Sequence, residues 1–183
     1  MSRRWEVLSS RVIFTGRPHR LRLDTCRTPS GVEVRDYFVR EVADVAMVLA
    51  VTPGGEVVLV RQYRHAAGDE TLELPQGLLE RGEDAVVGGA RELMEETGYE
   101  APRLEPVAEL LANPAVQTNR VHLLLGRDAL PVAEAAPEPE EDIEVLLVPL
   151  AELRGLIERA EIRAATSVAG ILIGLGRLGL GPR

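Results

Sequence analysis

The chain has 183 residues, 45% of them hydrophobic and 27% charged, which suits one globular domain with a sizeable core and argues against general disorder. Its formal net charge of −8 speaks against a long polyanion such as duplex DNA, so no nucleic-acid partner is expected. All 21 basic residues are arginine, which excludes a P-loop lysine and Schiff-base chemistry, and the single cysteine, Cys26, excludes an internal disulfide and a cysteine zinc cage. No apolar run is long enough to span a membrane, and the opening MSRRWEVLSSRV lacks a signal-peptide pattern, so a cytoplasmic protein without membrane contact is expected.

In chain order, the first stretch reads as strands. Glu6–Phe14 and His19–Arg27 are rich in β-branched and apolar residues, and the turn RTPSG precedes a half-buried strand over Val32–Arg40. Two apolar runs, Val45–Val51 and Val57–Arg64, are joined by Pro53-Gly54-Gly55, which predicts a hairpin. A short strand at Thr71–Leu74 follows. The pattern then turns helical, with Asp84 as N-cap and Gly98 at the position where a left-handed residue ends a helix. On that helix Val86, Ala90, Leu93 and Thr97 form the stripe expected to face a core. Gly88 and Gly89 each cost about 1 kcal/mol relative to alanine, so the segment depends on tertiary packing or a ligand rather than on propensity, a closely packed neighbour being one reading of the pair. Further strands are expected at Arg103–Ala112, Val121–Leu125 and Ile143–Val148. Helices follow near Leu150–Arg159 and Ala165–Arg177. The sum is an α+β fold with helices packed on sheet faces, in one domain over 1–183. Residues 1 to about 44 are its N-terminal strands and the remainder its core.

The chemistry concentrates in GLLERGEDAVVGGARELMEETGYE, Gly77–Glu100. Glu92, Glu95 and Glu96 fall at i, i+3 and i+4, one turn apart on one helix face, where like charges repel. Clustered carboxylate oxygens suit a hard divalent cation, Mg²⁺ or Mn²⁺, although an acidic helix face by itself is most often only solvated. Glu83 is placed to pair with Arg91, and Gly77 lets backbone approach a ligand closely. The stretch satisfies Gly-x5-Glu-x7-Arg-Glu-apolar-x-Glu-Glu-x-Gly-apolar at Gly77, Glu83, Arg91, Glu92, Leu93, Glu95, Glu96, Gly98 and Tyr99. A chance match is on the order of one in ten million.

That pattern is the Nudix box, and the chain resembles a Nudix hydrolase. VVLVRQYRHAAGDETLELPQG, EEDIEVLLVPLAEL and IRAATSVAGILIGL are similar to the ADP-ribose pyrophosphatase branch. The resemblance implies a mixed sheet between helices (an α/β/α sandwich) and metal-dependent hydrolysis of a nucleoside diphosphate linked to another moiety. It also implies a small nucleotide-type substrate and a homodimer formed through the N-terminal region. Carried onto this sequence, it makes Glu92, Glu95, Glu96 and the backbone carbonyl of Gln76 the metal ligands. Arg64, with Arg61 as the weaker candidate, would contact the diphosphate. Glu141, with Glu140 and Glu138 behind it, would be a base or further ligand from an acidic loop. Trp5 is a candidate for stacking on the base or for packing. The stretch NPAVQTNR, Asn113–Arg120, departs from the branch's usual Ser-Pro-Gly turn. There Asn113, Gln117, Asn119 and Arg120 either touch the distal group or cap a turn. The competing expectations are another Nudix substrate (a dinucleoside polyphosphate, capped RNA or an oxidised nucleotide) and a nucleotide-sensing module that cleaves nothing.

Overall fold

The computed structural model describes residues 3–16, 18–137 and 142–181. They divide into two compact units: residues up to Ala43 with Leu111–Arg120, and Asp44–Leu110 with the chain from Val121 onward. In the first unit, β1 (Glu6–Gly16), β2 (His19–Arg27) and β3 (Glu33–Glu41) form an antiparallel sheet in chain order. Backbone bonds Arg40 N–H to Val116 O (2.7 Å) and Thr118 N–H to Arg40 O (3.2 Å) lay the Asn113–Arg120 stretch beside β3. Cys26 is buried, as a small apolar residue would be, while β1 is exposed along nearly its whole length.

The second unit holds β4 (Val45–Ala50), β5 (Glu56–Arg64), β6 (Asp69–Glu73), β7 (Gln76–Leu78), β8 (Tyr99–Glu100), β9 (Leu104–Leu111), β10 (Arg120–Gly126), β11 (Leu130–Pro131) and β12 (Ile143–Pro149). Its helices are α1 (Ala85–Thr97), α2 (Leu153–Glu158, entered through a 3₁₀ turn) and α3 (Ala165–Arg177). One sheet runs β7-β4-β10-β9, a second β12-β5-β6, and β8 pairs with β11. The central pair is parallel, with Val45 opposite Val121 and Ala50 opposite Gly126. β4 and β10 are near-continuous apolar runs because both their faces are covered. Ala46 and Val48 lie under α1, where Gly89 lets the helix settle onto Val48 and Leu124. Met47, Leu49 and Leu123 lie under α3, at its Gly170 and Gly174. This is a sheet between helices, an α+β sandwich. Ala46, Val48, Ala50, Val58, Leu93, Leu104, Leu124 and Ala129 form the core on the α1 side.

Two expectations are corrected. The β4–β5 hairpin does not form: only Val51 and Val57 pair, beside a turn in which Thr52 N–H donates to Glu56 O. The turn chemistry was read correctly, but both edges of β4 are taken by β7 and β10, so β5 pairs with β6 and β12 instead. On α1, Ala90 is exposed and the buried stripe runs through Gly89. A residue without a side chain gives the closest helix–sheet approach, and the helix turns that side inward.

Candidate active site

α1 begins where it does because the Asp84 carboxylate accepts from Val86 N–H, and it ends at Gly98, whose φ of 71° a side chain would resist. Gly98 N–H closes the last turn onto Met94 O (2.8 Å). These caps fix which residues face β7, the short strand paired to β4 through Gly77 opposite Ala46.

The three box carboxylates meet different surroundings. Glu96 is 2% exposed and its Oε2 accepts from Gln76 N–H at 2.9 Å. Glu92, with a side chain 13% exposed, lies against Gly77 so closely that a Cβ there would land on its carboxylate. Glu95, at 49%, faces solvent. The repulsion expected from this crowding is answered by Arg91, whose Nη1 donates to Glu92 (2.7 Å) and to Glu95 (3.0 Å). The other side of the same guanidinium holds Glu83, through Nε (3.1 Å) and Nη2 (3.0 Å), and Nη2 also reaches Leu78 O. Glu83 in turn accepts from Glu80 N–H, which folds the β7–α1 loop onto the helix. The predicted Glu83–Arg91 pair is therefore present, as a forked one. The Arg91 bond holds the Glu83 carboxyl below its ordinary pKa, and Glu83, then Glu92 and Glu95, raise that of Arg91.

Arg64 ends β5 with its Nε and Nη2 on the two oxygens of Glu73 (3.1 and 2.8 Å). Glu73 also accepts from the Gln76 side-chain amide and the Thr71 hydroxyl. Arg61 lies three residues earlier on β5 and so on the opposite face. It pairs with Glu144 across β12 (2.6 Å) and lines a separate cleft of about 290 Å³ with Asp69, Leu72, Glu161 and Arg163. The structure thus links Arg64, Gln76 and Glu96 by hydrogen bonds through Glu73, with Glu92 packed against the adjacent Gly77, and leaves Arg61 out of that chain. Trp5 packs edge-to-face on Tyr37 (centroids 5.8 Å apart) in the other unit. In that unit too, Asn119 is buried with no partner for Oδ1 among the described residues, and Arg120 is exposed. The main-chain carbonyl of Asn113 accepts from Val116 and Gln117 N–H, which closes the turn through backbone. Glu138, Glu140 and Glu141 lie outside the described residues.

No three His, Cys, Asp or Glu side chains among the described residues are gathered into a cation cage. The donor set nevertheless fits a hard cation. It is all oxygen, two of its carboxylates are drawn toward the Gln76–Gly77 backbone, and the missing Cβ of Gly77 keeps room for one of them. The residue that sequence reasoning passed over is Glu73. The sequence carries no clear signal for it: between Leu72 and Leu74 an alternating strand turns an acid to the solvent side, whereas here all three are buried.

Comparison with known proteins agrees. The NUDIX domain profile matches residues 41–169, and the nucleoside diphosphate sugar hydrolase N-terminal domain profile matches residues 5–39. An ADP-ribose pyrophosphatase of Bacillus subtilis is 32% identical over 168 residues, 91% of this chain and 90% of that one. An ADP-ribose pyrophosphatase of Mycobacterium tuberculosis is 35% identical over 92% of this chain and 82% of its own. Among solved structures, an ADP compounds hydrolase superposes with a TM-score of 0.81 at 20% identity, over 96% of both chains, and shares the fold. Box, sandwich and profile converge: the chain belongs to the Nudix hydrolase family and resembles its ADP-ribose pyrophosphatase branch.

Proposed function

We propose that this hydrolase splits the pyrophosphate bond of ADP-ribose or a nucleoside diphosphate sugar, with Mg²⁺ or Mn²⁺, giving a nucleoside monophosphate and a phosphorylated moiety. The observation that carries the proposal is the seating of Glu92 and Glu96 of α1 against the Gln76–Gly77 backbone, beside an arginine-bearing strand. The relatives' names and the sugar-hydrolase profile over residues 5–39 support the substrate class.

A pyrophosphate is shielded from water by its own charge, and a divalent ion bound there would neutralise that charge and lower the pKa of a coordinated water. Glu92, Glu95, Glu96 and the Gln76 carbonyl would hold it. The chain's own part is preorganisation. The caps set the phase of α1, Arg91 keeps Glu92 and Glu95 from splaying apart, and Gln76 N–H holds Oε2 of Glu96. Arg64 presents a guanidinium suited to a diphosphate oxygen. Glu141 remains the proposed base.

The test is product formation from a panel of ADP-ribose, GDP-mannose, a dinucleoside polyphosphate and capped RNA, each with Mg²⁺, Mn²⁺ or chelator. We expect metal-dependent cleavage of the first two above the others, and losses of orders of magnitude in Glu95→Gln and Glu96→Gln with the fold retained. Metal-dependent rates unchanged in both variants would remove the mechanism; tight binding without cleavage would make the protein a sensor. We also propose a homodimer in which a second copy covers the exposed β1, for which a monomer mass by light scattering is the contrary result.

A further inference from the structure

Glu73 is a charge buried in a strand whose two faces are both covered at this point. Leu72 and Leu74 on either side are buried, and the Glu73 side chain is only 4% exposed. Burying an ion is costly unless its oxygens are well bonded, and replacing such a pair with apolar residues is often neutral or stabilising, so stability alone is a weak reason to keep one. The oxygens of Glu73 are well bonded. Oε1 accepts from Arg64 Nε (3.1 Å) and the Thr71 hydroxyl, and Oε2 accepts from Arg64 Nη2 (2.8 Å) and Gln76 Nε2 (2.8 Å). Burial works to raise its pKa, but the bonds from Arg64, Thr71 and Gln76 prevail and hold it below the ordinary glutamate value.

What those partners do points to the reason. Arg64 is 40% exposed while its counter-ion is not, so the guanidinium is gripped from below by one edge and held toward the surface. A long arginine otherwise spreads over many rotamers, and a fixed fork loses less entropy when it meets a phosphate. Gln76, gripped by the same carboxylate through its side chain, donates its backbone N–H to Glu96 on α1. One buried anion therefore ties the arginine of β5 to Gln76 of β7, and through it to the box carboxylate Glu96 of α1.

We infer that Glu73 is a positioning residue. It holds Arg64 in the orientation that meets a substrate diphosphate, and it keeps that arginine in register with Gln76 and Glu96. The inference rests on the diphosphate substrate proposed above, and the experiment separates the two.

ADP-ribose binding is measured by calorimetry in chelator, where no turnover occurs, with hydrolysis kinetics in Mg²⁺ and thermal unfolding alongside. Glu73→Gln keeps the shape but replaces an acceptor by a donor, so it cannot serve all three partners at once. We expect its affinity for ADP-ribose to fall about tenfold and KM to rise by more than kcat falls. Arg64→Gln should weaken binding at least as much, and the double variant should bind no more weakly than Arg64→Gln alone, because one residue acts through the other. If Glu73→Gln does not fold, Glu73→Asp (same charge, shorter reach) paired with Arg64→Lys (same charge, no fork) is to show the same non-additivity. Wild-type affinity in Glu73→Gln, or losses that simply multiply in the double variant, would overturn the inference while leaving the substrate intact. A wild-type protein that neither binds nor cleaves ADP-ribose or GDP-mannose overturns both.

Discussion

Gly77→Ala isolates the site from the fold. The added Cβ lands on the carboxylate of Glu92, and the obstacle is the tip of a flexible side chain, so the carboxylate is evicted and the backbone stays. The eviction forfeits the Arg91 bond at 2.7 Å, which lies near the surface and contributes about 1 kcal/mol. Gly77 has no positive φ, so alanine there restricts the unfolded chain and returns about 0.4–1 kcal/mol. The two nearly cancel, and the unfolding midpoint should move by no more than about 3 °C. Misplacing a proposed metal ligand is another matter: losing the support of a metal-binding group typically costs about 10–100-fold in affinity or activity. The assay is initial-rate hydrolysis of ADP-ribose across a Mg²⁺ series, with calorimetric unfolding in chelator. Gly89→Ala is the control, because its Cβ drives into Leu124 and Val48 of the core. Overpacking of about 1–3 kcal/mol there exceeds the roughly 1 kcal/mol that alanine returns to the helix, so stability falls while activity per folded molecule persists. Wild-type turnover in Gly77→Ala, or a collapse of its midpoint by about 10 °C, would refute the reasoning.

Arg61→Ala removes a solvent-exposed pair with Glu144, worth about 0–1 kcal/mol, and should leave ADP-ribose kinetics within about twofold; a loss as large as that of Arg64→Ala would put Arg61 back in the site. Glu105→Gln removes the carboxylate that Arg177 of α3 holds below the ordinary glutamate pKa. Because the folded value is the lower one, the ionised pair stabilises above the unfolded value, about 4.3, and the benefit fades as pH falls through the folded one. The wild type should therefore unfold at higher temperature than the variant at neutral pH, and the gap should close in acid. A gap that widened in acid would reverse the assignment.

Local chemistry made much of this molecule legible. Asp84 and Gly98 cap α1 at the residues expected, and α3 runs Ala165–Arg177 where a helix was expected, because caps and helical stripes are decided within a turn or two of the chain. The Gly88-Gly89 pair did mean a close neighbour, namely Leu79 on one glycine and Leu124 on the other. What escaped was non-local. The turn after β4 has hairpin chemistry, yet which strand pairs with β4 is settled by β10, about seventy residues further on. Three-residue β7 carries no period of its own and exists only because β4 offers an edge. Glu73 looked like one acid among many until its burial and partners could be seen.

The crowded acids of α1 are also a statement about competition. A single guanidinium bridges Glu92 and Glu95 from one nitrogen and holds Glu83 from its other side, and its pKa is raised, so it stays charged at any working pH. A divalent ion that took Glu92 and Glu95 would compete with Nη1 for those carboxylates, whereas Glu83 and Leu78 O would still hold the rest of the fork in place. Arg91 is thus anchored by residues that no ion needs and lends only one donor to those it does. Such an arrangement lets the carboxylates stay gathered before a metal arrives without making them pay for its arrival by unfolding the loop.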